Sequence, residues 1–586
     1  MSRSVRRFTI LLIGITCFSL VLAGCSRETR EDREFTNLSD EFLVWYFEAH
    51  PVTATAEGEH NYDGMIDDLG AEVRSAEAES LKAFLSRLEA IDHGRLSSDN
   101  RIDAAILKNR IERMLFSLEK TKDWKRNPLF YTRLLGNSIY LLIAREFAPL
   151  EIRLGSALSR LRAFPRVVEQ AMNNLDNPPT VHTETAIGQN KGTIALLDRD
   201  LRAEVSGSDI DAAAFSGALD TAIAALERFQ DYLEDDLYFQ SKGDFRLGSE
   251  LFREKLRLTL MTDMTSEKIL EMAQVEKAKL HDEMFTLAAP IYREMNPGED
   301  IDRVSPERKL TIIRTVLDYI ARSHPEPEGL LDACKEAYAE AELFVRENDI
   351  IALPKEPLEI IWAPEFSRGV AVAGLRSPGP LDRGMKAFYV VSPPPEEWTE
   401  AQVESFLREY NDEMIRILTI HEAMPGHYVQ LAYSNRFPSL LRAVFSSGTF
   451  VEGWAVYTER MMLEEGYGNQ NPRLWLQRKK FYLRAVINAI LDAGIHMGGM
   501  SEYEAMKLMI EEGFQEESEA AGKWRRACLT STQLSTYFVG YKEVSAIRER
   551  AEREWGDGFE LGRFHEKLLG YGSPPPKLLE SVLFAE

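Results

Sequence analysis

The chain has 586 residues, of which 44% are hydrophobic and 28% are charged, and its formal net charge is −24. A globular composition over this length is enough to bury several hydrophobic cores. The acidic balance argues against a nucleic-acid-binding protein, because such proteins present a basic surface to the phosphate backbone.

The N-terminus has the features of an export signal. Three arginines precede an apolar run from Phe8 to Leu22, which is followed by Ala23-Gly24-Cys25. That run is shorter than the roughly 20 residues needed to span a bilayer, which favours a signal peptide at residues 1–24 over a membrane anchor. The ending resembles a bacterial lipoprotein box. The resemblance implies lipid on the Cys25 thiol and an exported protein anchored in the bacterial cell envelope, on the periplasmic or outer-surface side.

The remaining chain divides into four regions by sequence pattern. The lipidated cysteine and a short charged tether occupy residues 25–35. Residues 36–350 repeat apolar positions at helical spacing and predict an N-terminal helical lobe. Residues 351–398 contain two runs rich in β-branched and aromatic residues, Leu358–Trp362 and Ala387–Val391, and predict a small antiparallel sheet. Residues 399–586 return to a helical pattern.

The most informative motif is Ile420-His421-Glu422-Ala423-Met424-Pro425-Gly426-His427-Tyr428. Imidazole is the commonest zinc ligand, and a glutamate beside it can act as a general base on an attacking water. A step of six residues between the histidines turns an ideal helix by about 600°, which points the second ring away from the first. We expect the proline and glycine inside this step to bulge the helix and return His427 to the metal. The alternative is a packed core histidine followed by a helix end.

A third ligand candidate, Glu452, follows in the segment Gly448–Glu459. A second helix that crosses the first could supply it and complete a His2Glu site with an open fourth position. Thr449-x-x-Glu452 also has the form of a capping box, in which case the glutamate would only cap a helix. Glu459 lies seven positions later on the same helix face, where it would either orient a ligand histidine or remain a solvated charge.

The segments HEAMPGH and FVEGWAVYTE resemble the domain-of-unknown-function family 885 of bacterial proteins. The resemblance extends through HPVTATAEGEHNYDG, LDRGMKAFYVVSPP and STYFVGYKEV, and so over nearly the whole mature chain. More distantly, the chain resembles zinc peptidases of the thimet-oligopeptidase and Taq-carboxypeptidase type. The resemblance implies zinc bound by His421, His427 and Glu452, with Glu422 as general base. The two extra residues between the histidines depart from the peptidase pattern.

Further candidates lie in the C-terminal helices. Arg484 and His496 belong to one predicted helix in a segment typical of the family, with Asp492 four positions before the histidine. His496 is a candidate for a hydrogen bond to the substrate, and the alternative is a buried Asp–His pair that joins helices.

The last candidates are two tyrosines and an arginine. Tyr537 and Tyr541 are four positions apart and share a helix face. Thimet-type peptidases carry late tyrosines that face the zinc, and the resemblance favours Tyr537 over Tyr541 as a donor to the oxyanion. Arg526 matches a family arginine and could hold a substrate carboxylate, or it could form a structural salt bridge.

These features predict a mainly α-helical, two-lobed, peptidase-like fold with a deep channel and one small antiparallel sheet. The edge of that sheet could bind an extended peptide. The predicted function is zinc-dependent hydrolysis of peptide bonds by a carboxypeptidase or oligopeptidase of the cell envelope. Two alternatives stay open. One is a non-catalytic lipoprotein that binds peptides or cell-wall fragments, and the other is a zinc amidase that acts on peptidoglycan.

Overall fold

The computed structural model describes residues 29–208, 210, 212–363, 373–382, 384–395 and 398–584. The predicted signal peptide and the lipidation site at Cys25 lie outside the described residues. Within them the chain is mainly α-helical with one small sheet, which confirms the predicted fold class.

The N-terminal helices pack through apolar faces of the kind that the sequence periodicity predicted. In chain order they are α1 (Arg30–Ala49), α2 (Pro51–Glu57), α3 (Ala71–Glu89), α4 (Ser98–Leu115), α5 (Asp123–Arg126), α6 (Leu129–Ala144), α7 (Leu150–Asn174), α8 (Thr180–Ala195), α9 (Arg202–Ser206), α10 (Ala212–Asp231), α11 (Tyr238–Gln240), α12 (Gly248–Leu260), α13 (Ser266–Met295), α14 (Pro306–Ile320) and α15 (Leu330–Glu347).

The first of these helices corrects the predicted tether. A tether was expected to continue to residue 35, but α1 already begins at Arg30. Thr29 and Asp32 form a reciprocal capping box at its start. Acidic residues in the first turn also complement the positive end of the helix dipole. The charged composition of this segment therefore stabilises a helix start.

The sheet has three strands, β1 (Leu358–Trp362), β2 (Ala373–Arg376) and β3 (Ala387–Val391), in the order β1-β3-β2. The first and third strands have the predicted bounds. β3 pairs with β1 in parallel and with β2 in antiparallel orientation, so the predicted all-antiparallel sheet is wrong. The reason is the additional strand β2, which occupies the antiparallel position beside β3. β1 consequently reaches β3 through a crossover rather than a hairpin.

The C-terminal region returns to helices and begins with a capping box of Thr399 and Gln402. Its helices are α16 (Glu400–Glu409), α17 (Asp412–Glu422), α18 (His427–Ser434), α19 (Leu440–Val444), α20 (Gly448–Glu464), α21 (Pro472–His496), α22 (Glu502–Lys507), α23 (Glu517–Leu529), α24 (Ser535–Trp555), α25 (Leu561–Leu569) and α26 (Pro576–Leu583).

Two hydrophobic cores hold the helices together. The smaller core lies within residues 52–237 and is built mainly from α6, α7, α8 and α10. The larger core combines α1, α3 and α4 with the helices that follow residue 250, up to α26. The first helix of the described chain and the last one therefore share a core, and α17, α20, α21 and α24 lie within it.

A cavity of about 290 Å³ lies between α4 and the segment that leads into α20. Arg110, Phe445 and Ser447 are among its lining residues. It lies at the junction of the N-terminal helices with the C-terminal region, and the deep channel stays a prediction. Among the described helices, none combines the length and the apolar character needed to cross a bilayer.

Candidate metal centre

Three helices bring the predicted metal ligands together. His421 is the penultimate residue of α17, His427 opens α18, and Glu452 lies in the second turn of α20. One ligand atom from each residue lies within 4.8 Å of the others. The Nε2 atoms of His421 and His427 are 3.7 Å and 3.6 Å from Glu452 Oε2. The predicted convergence of the three side chains is therefore confirmed.

A break between two helices, rather than a bulge within one, redirects His427. The helix ends and a new one begins within the six-residue step. A Cβ atom on Gly426 would lie 1.9 Å from the carbonyl oxygen of His421, so this close approach requires glycine. Trp454 of α20 donates its indole N–H to Pro425 O at 2.9 Å, which ties the break to the helix that carries the third ligand. The prediction of a bulge within one continuous helix is therefore wrong, because the structure has two helices with a break between them.

The spacing of the ligand atoms suits a shared cation. Direct N–H···O hydrogen bonds are normally about 2.7–3.2 Å long, which is shorter than either His–Glu452 distance. Two atoms that bind zinc at about 2.0–2.1 Å with a tetrahedral angle lie about 3.4 Å apart. Glu452 Oε2 is also buried without a hydrogen-bond partner in the described structure. The three residues therefore fit a zinc ion.

The electrostatics of the cluster favour positive charge between its members. Burial lowers the pKa of His421, but the nearby carboxylates of Glu452 and Glu459 outweigh it and raise that pKa to about 10. Burial raises the pKa of Glu452, but the nearby imidazoles of His421 and His427 hold it well below its usual range. The carboxylates that stabilise the protonated imidazole of His421 would also stabilise a bound cation.

Glu459 orients one of the ligand histidines. This carboxylate is fully buried, and its Oε1 lies 2.8 Å from Nδ1 of His421. The contact favours the tautomer that carries its proton on Nδ1 and leaves Nε2 free toward the centre. Arg478 Nε lies 3.8 Å from the second oxygen of Glu459. The alternative of a solvated charge is therefore wrong.

The capping alternative for Glu452 is also wrong. Helix α20 begins one residue before Thr449, and Ser447 caps it by accepting the backbone N–H of Phe450. The Thr449 hydroxyl donates instead to the carbonyl oxygen of Leu260. The Glu452 side chain is thus free to face the two histidines.

Glu422, the predicted general base, lies at the end of α17 beside strand β2. Its Oε2 accepts the backbone N–H of Leu375 at 3.1 Å. One carboxylate oxygen is therefore held in place while the residue stays partly exposed. Because Leu375 lies on an edge strand of the sheet, the sheet edge and the general base adjoin each other.

Two glycines bring Tyr537 close to the ligand Glu452. A Cβ atom on Gly453 of α20 would lie 2.4 Å from the backbone of Gly540, and one on Gly540 of α24 would lie 1.9 Å from the carbonyl oxygen of Thr449. The two helices therefore cross at closest backbone contact. Tyr537 lies one turn before Gly540, and burial together with the charge of Glu452 raises its pKa to about 12. The phenol consequently keeps its proton and can donate a hydrogen bond.

Tyr541 belongs to a different cluster on α24. Its hydroxyl accepts a hydrogen bond from Arg460 Nη1 at 3.0 Å, and its ring lies 4.6 Å from the ring of Tyr482. These contacts join α24 to α20 and α21. The site role predicted for Tyr541 is therefore corrected to helix packing.

Arg484 and His496 contact neighbouring helices and the turns between them. Arg484 pairs with Glu409 at 3.2 Å and also with Glu519. His496 is buried, and its Nε2 lies 2.9 Å from the carbonyl oxygen of Thr530. Arg484 is thus paired with α16 and α23, and Nε2 of His496 contacts the turn after α23, while the substrate contact of His496 stays a prediction.

Asp492 supports the helix that carries Tyr537. Its carboxylate accepts the backbone N–H groups of Thr532 at 2.8 Å and Ser535 at 3.1 Å, and the Ser535 hydroxyl at 2.7 Å. These bonds fix the turn before α24. The alternative in which Asp492 and His496 join helices is thus the one that the structure supports.

Arg526 lies beside the predicted oxyanion donor. Its Nη2 donates to Gln533 Oε1 at 2.8 Å and to the hydroxyl of Tyr537 at 3.3 Å. No carboxylate among the described residues pairs with it, which argues against the salt-bridge alternative. The sequence analysis missed a second cation on the same helix, Lys523, which no motif marks.

The sequence matches a family described as "Bacterial protein of unknown function (DUF885)" over residues 51–583. Among solved structures, "a putative lipoprotein of unknown function" from Shewanella oneidensis is 34% identical, with a TM-score of 0.82, and the match covers 94% of this chain and 100% of that one. A "putative lipoprotein" from Colwellia psychrerythraea is 16% identical, with a TM-score of 0.76, over 94% of this chain and 98% of that one. The second likeness concerns the fold alone. None of the curated proteins matches this chain.

Proposed function

The chain belongs to the bacterial DUF885 family, and we propose that it is a zinc-dependent hydrolase of peptide bonds. The observation that carries the proposal is the ligand cluster. Two imidazole Nε2 atoms face one carboxylate oxygen of Glu452 that is otherwise unpartnered, while Glu459 holds the far side of the His421 ring. A metal site of this composition with an open position is the usual arrangement of catalytic zinc.

Each group near the cluster has a role in amide hydrolysis. Zinc, when bound, supplies a Lewis acid that polarises the substrate carbonyl and makes water more acidic. Glu422 takes the proton from the attacking water and returns it to the leaving amine. Tyr537 donates its phenolic proton in a hydrogen bond to the developing oxyanion. The edge of β2, beside Glu422, aligns an extended peptide.

The proposed location is the cell envelope, with the chain anchored by lipid on Cys25. The N-terminal sequence supports this location, and the two similar structures named above are each described as that of a "putative lipoprotein". A substrate in the envelope is either a peptide or a peptide-bearing cell-wall fragment.

The test is metal analysis of the purified mature protein together with mass spectrometry of a peptide library and of cell-wall fragments. Incubations run with and without a chelator. We expect about one zinc ion per chain and cleavage of peptides that the chelator abolishes. Cleavage restricted to cell-wall amides would identify an amidase, and binding of peptides without cleavage would overturn the hydrolase proposal.

Glu422→Gln tests the general base directly. The variant should retain zinc and lose activity by a factor of about 10²–10⁴, the usual contribution of general base catalysis. Glu413→Gln is the matched control, because this residue lies in the first turn of the same helix and pairs with Arg416. Full activity in Glu422→Gln would refute the role of this carboxylate.

A further inference from the structure

Lys523 of α23 is a largely buried lysine without an ion-pair partner among the described residues. The residue is 9% exposed and makes no hydrogen bond or ion pair with any residue that the structure describes. Its pKa is lowered to about 7, first by burial and then by repulsion from Arg484. An isolated buried charge is costly, so an anion bound beside Lys523 would favour its protonated form.

The neighbouring acidic groups are already paired with other cations. Glu409 accepts from Lys480 at 2.7 Å and from Arg484 at 3.2 Å. Glu519, one turn before Lys523, pairs with Arg484. Two cations therefore balance two anions in this network, and Lys523 is a surplus positive charge beside it.

Arg526 is a second cation without a carboxylate partner in the described chain, three positions later on the same helix face. The groups that it contacts, Gln533 and Tyr537, are neutral acceptors, so they do not offset its charge. The charge of Glu452 acts on both Lys523 and Tyr537. The two cations therefore lie on the Tyr537 side of the metal centre.

We propose that Lys523 and Arg526 form a subsite that binds a carboxylate of the substrate next to the bond that is cleaved. This inference rests on the hydrolase function proposed above. An ammonium and a guanidinium one turn apart bind a planar carboxylate through charge-assisted hydrogen bonds. A peptide offers such a group either as its free C-terminus or as an acidic side chain. With the C-terminus bound here, the enzyme is a carboxypeptidase.

The kinetic test compares three peptides of one sequence with the zinc-loaded protein. One has a free C-terminus, one is C-terminally amidated, and one is amidated with a glutamate directly after the cleaved bond. We expect kcat/KM to be about 10–100-fold higher for the peptides with the recognised carboxylate, as for hydrogen bonds to charged groups. Preference for the free acid identifies the C-terminus as the ligand, and preference for the glutamate peptide identifies the side chain.

Lys523→Met and Arg526→Gln should each remove most of this preference through an increased KM. Lys523→Arg should restore the preference. Arg525→Gln is the matched control, because its guanidinium contacts Thr185 on another face of the helix. Equal kcat/KM for all three peptides in the wild type would overturn the subsite while leaving the hydrolase intact.

A binding measurement separates this inference from the proposed function. Calorimetric titration of the Glu422→Gln protein with the same peptides needs no turnover. Tighter binding of a carboxylate peptide, lost in Glu422→Gln/Lys523→Met, would support the subsite even if the wild type cleaved none of them. Equal affinity for acid and amide would refute it.

Discussion

At the scale of single residues, the orientation of His421, a proposed metal ligand, depends on one buried carboxylate. Glu459 holds the Nδ1–H of that imidazole at 2.8 Å and makes the ring a better metal ligand. An amide at this position keeps the shape of the side chain but loses its charge.

We expect Glu459→Gln to lower zinc affinity by about 10–100-fold, the usual effect of removing such a partner. Competition with a chromophoric chelator measures the dissociation constant. Glu465→Gln is the control, because Glu465 follows the same helix and pairs only with Arg548 in the described structure. Equal zinc affinities for Glu459→Gln and the wild type would show that the carboxylate does not act on the metal.

The two late tyrosines offer a matched pair of single-atom changes. Tyr537→Phe removes the proposed oxyanion donor, and we expect kcat to fall by about 10²–10³ with zinc content unchanged. Tyr541→Phe removes a hydroxyl whose hydrogen bond in the described structure comes from Arg460, and kcat should stay within a few-fold of the wild type. Steady-state kinetics on one peptide check both variants. Similar losses in both would assign Tyr537 a structural role instead.

At the scale of helices and strands, sequence patterns predicted elements whose chemistry is local. β1 and β3 were found because they are rich in β-branched and aromatic residues. β2 has the sequence Ala-Gly-Leu-Arg, which has little strand propensity. It forms a strand because it pairs with β3 on one side and donates the backbone N–H of Leu375 to Glu422. The parallel pairing of β1 followed from that unpredicted strand.

The same distinction applies to the candidate site. The cluster of His421, His427 and Glu452 could be predicted because imidazoles at short spacing and a nearby glutamate carry their chemistry in the sequence itself. The roles of Arg484 and Lys523 could not be predicted from the sequence. These roles depend on which cation pairs with the carboxylates of α16 and α23 in the folded chain, and those carboxylates pair with Arg484.

The crossing of α20 and α24 makes a prediction at this scale. A methyl group on Gly453 would push against the backbone of Gly540, so Gly453→Ala should reduce the free energy of unfolding by about 1–3 kcal/mol, as overpacking does. It should also lower activity by moving Tyr537 away from Glu452. Urea denaturation and peptide hydrolysis measure the two effects.

The control for this prediction is a glycine with free space around it. Gly217 lies inside α10, and nothing lies within 4 Å of an added Cβ atom. Gly217→Ala should therefore leave stability unchanged or raise it by up to about 1 kcal/mol, because alanine favours helix. Equal stabilities for Gly453→Ala and Gly217→Ala would contradict the close crossing.

At the scale of the whole molecule, His60 joins segments that are distant in the chain. Its Nδ1 lies 2.9 Å from Asp63 and its Nε2 lies 3.0 Å from Asp382, in the connection between β2 and β3. Its ring stacks on Phe147 at 3.7 Å, and Arg145 binds the same Asp382 carboxylate at 3.2 Å. An N-terminal turn is thereby fastened to the sheet beside the metal centre.

This contact predicts a stability that depends on pH. Burial lowers the pKa of His60, but Asp382 and Asp63 outweigh it and raise the pKa from an ordinary 6.5 to about 9. A raised pKa in the folded state means that the protonated ring stabilises the fold fully below pH 6.5. That stabilisation is lost as the pH rises through about 9.

We therefore expect the free energy of unfolding of the wild type to fall between pH 6.5 and pH 9.5 more steeply than that of His60→Gln. Urea denaturation at each pH measures both slopes. His50, whose pKa is also raised to about 9, is present in both proteins, so the difference between the slopes isolates His60. His93→Gln should keep the wild-type slope, because the His93 ring bonds only a backbone carbonyl in the described structure. If the free energy of unfolding had the same pH dependence in the wild type and in His60→Gln, the charged ring would not hold the two segments together.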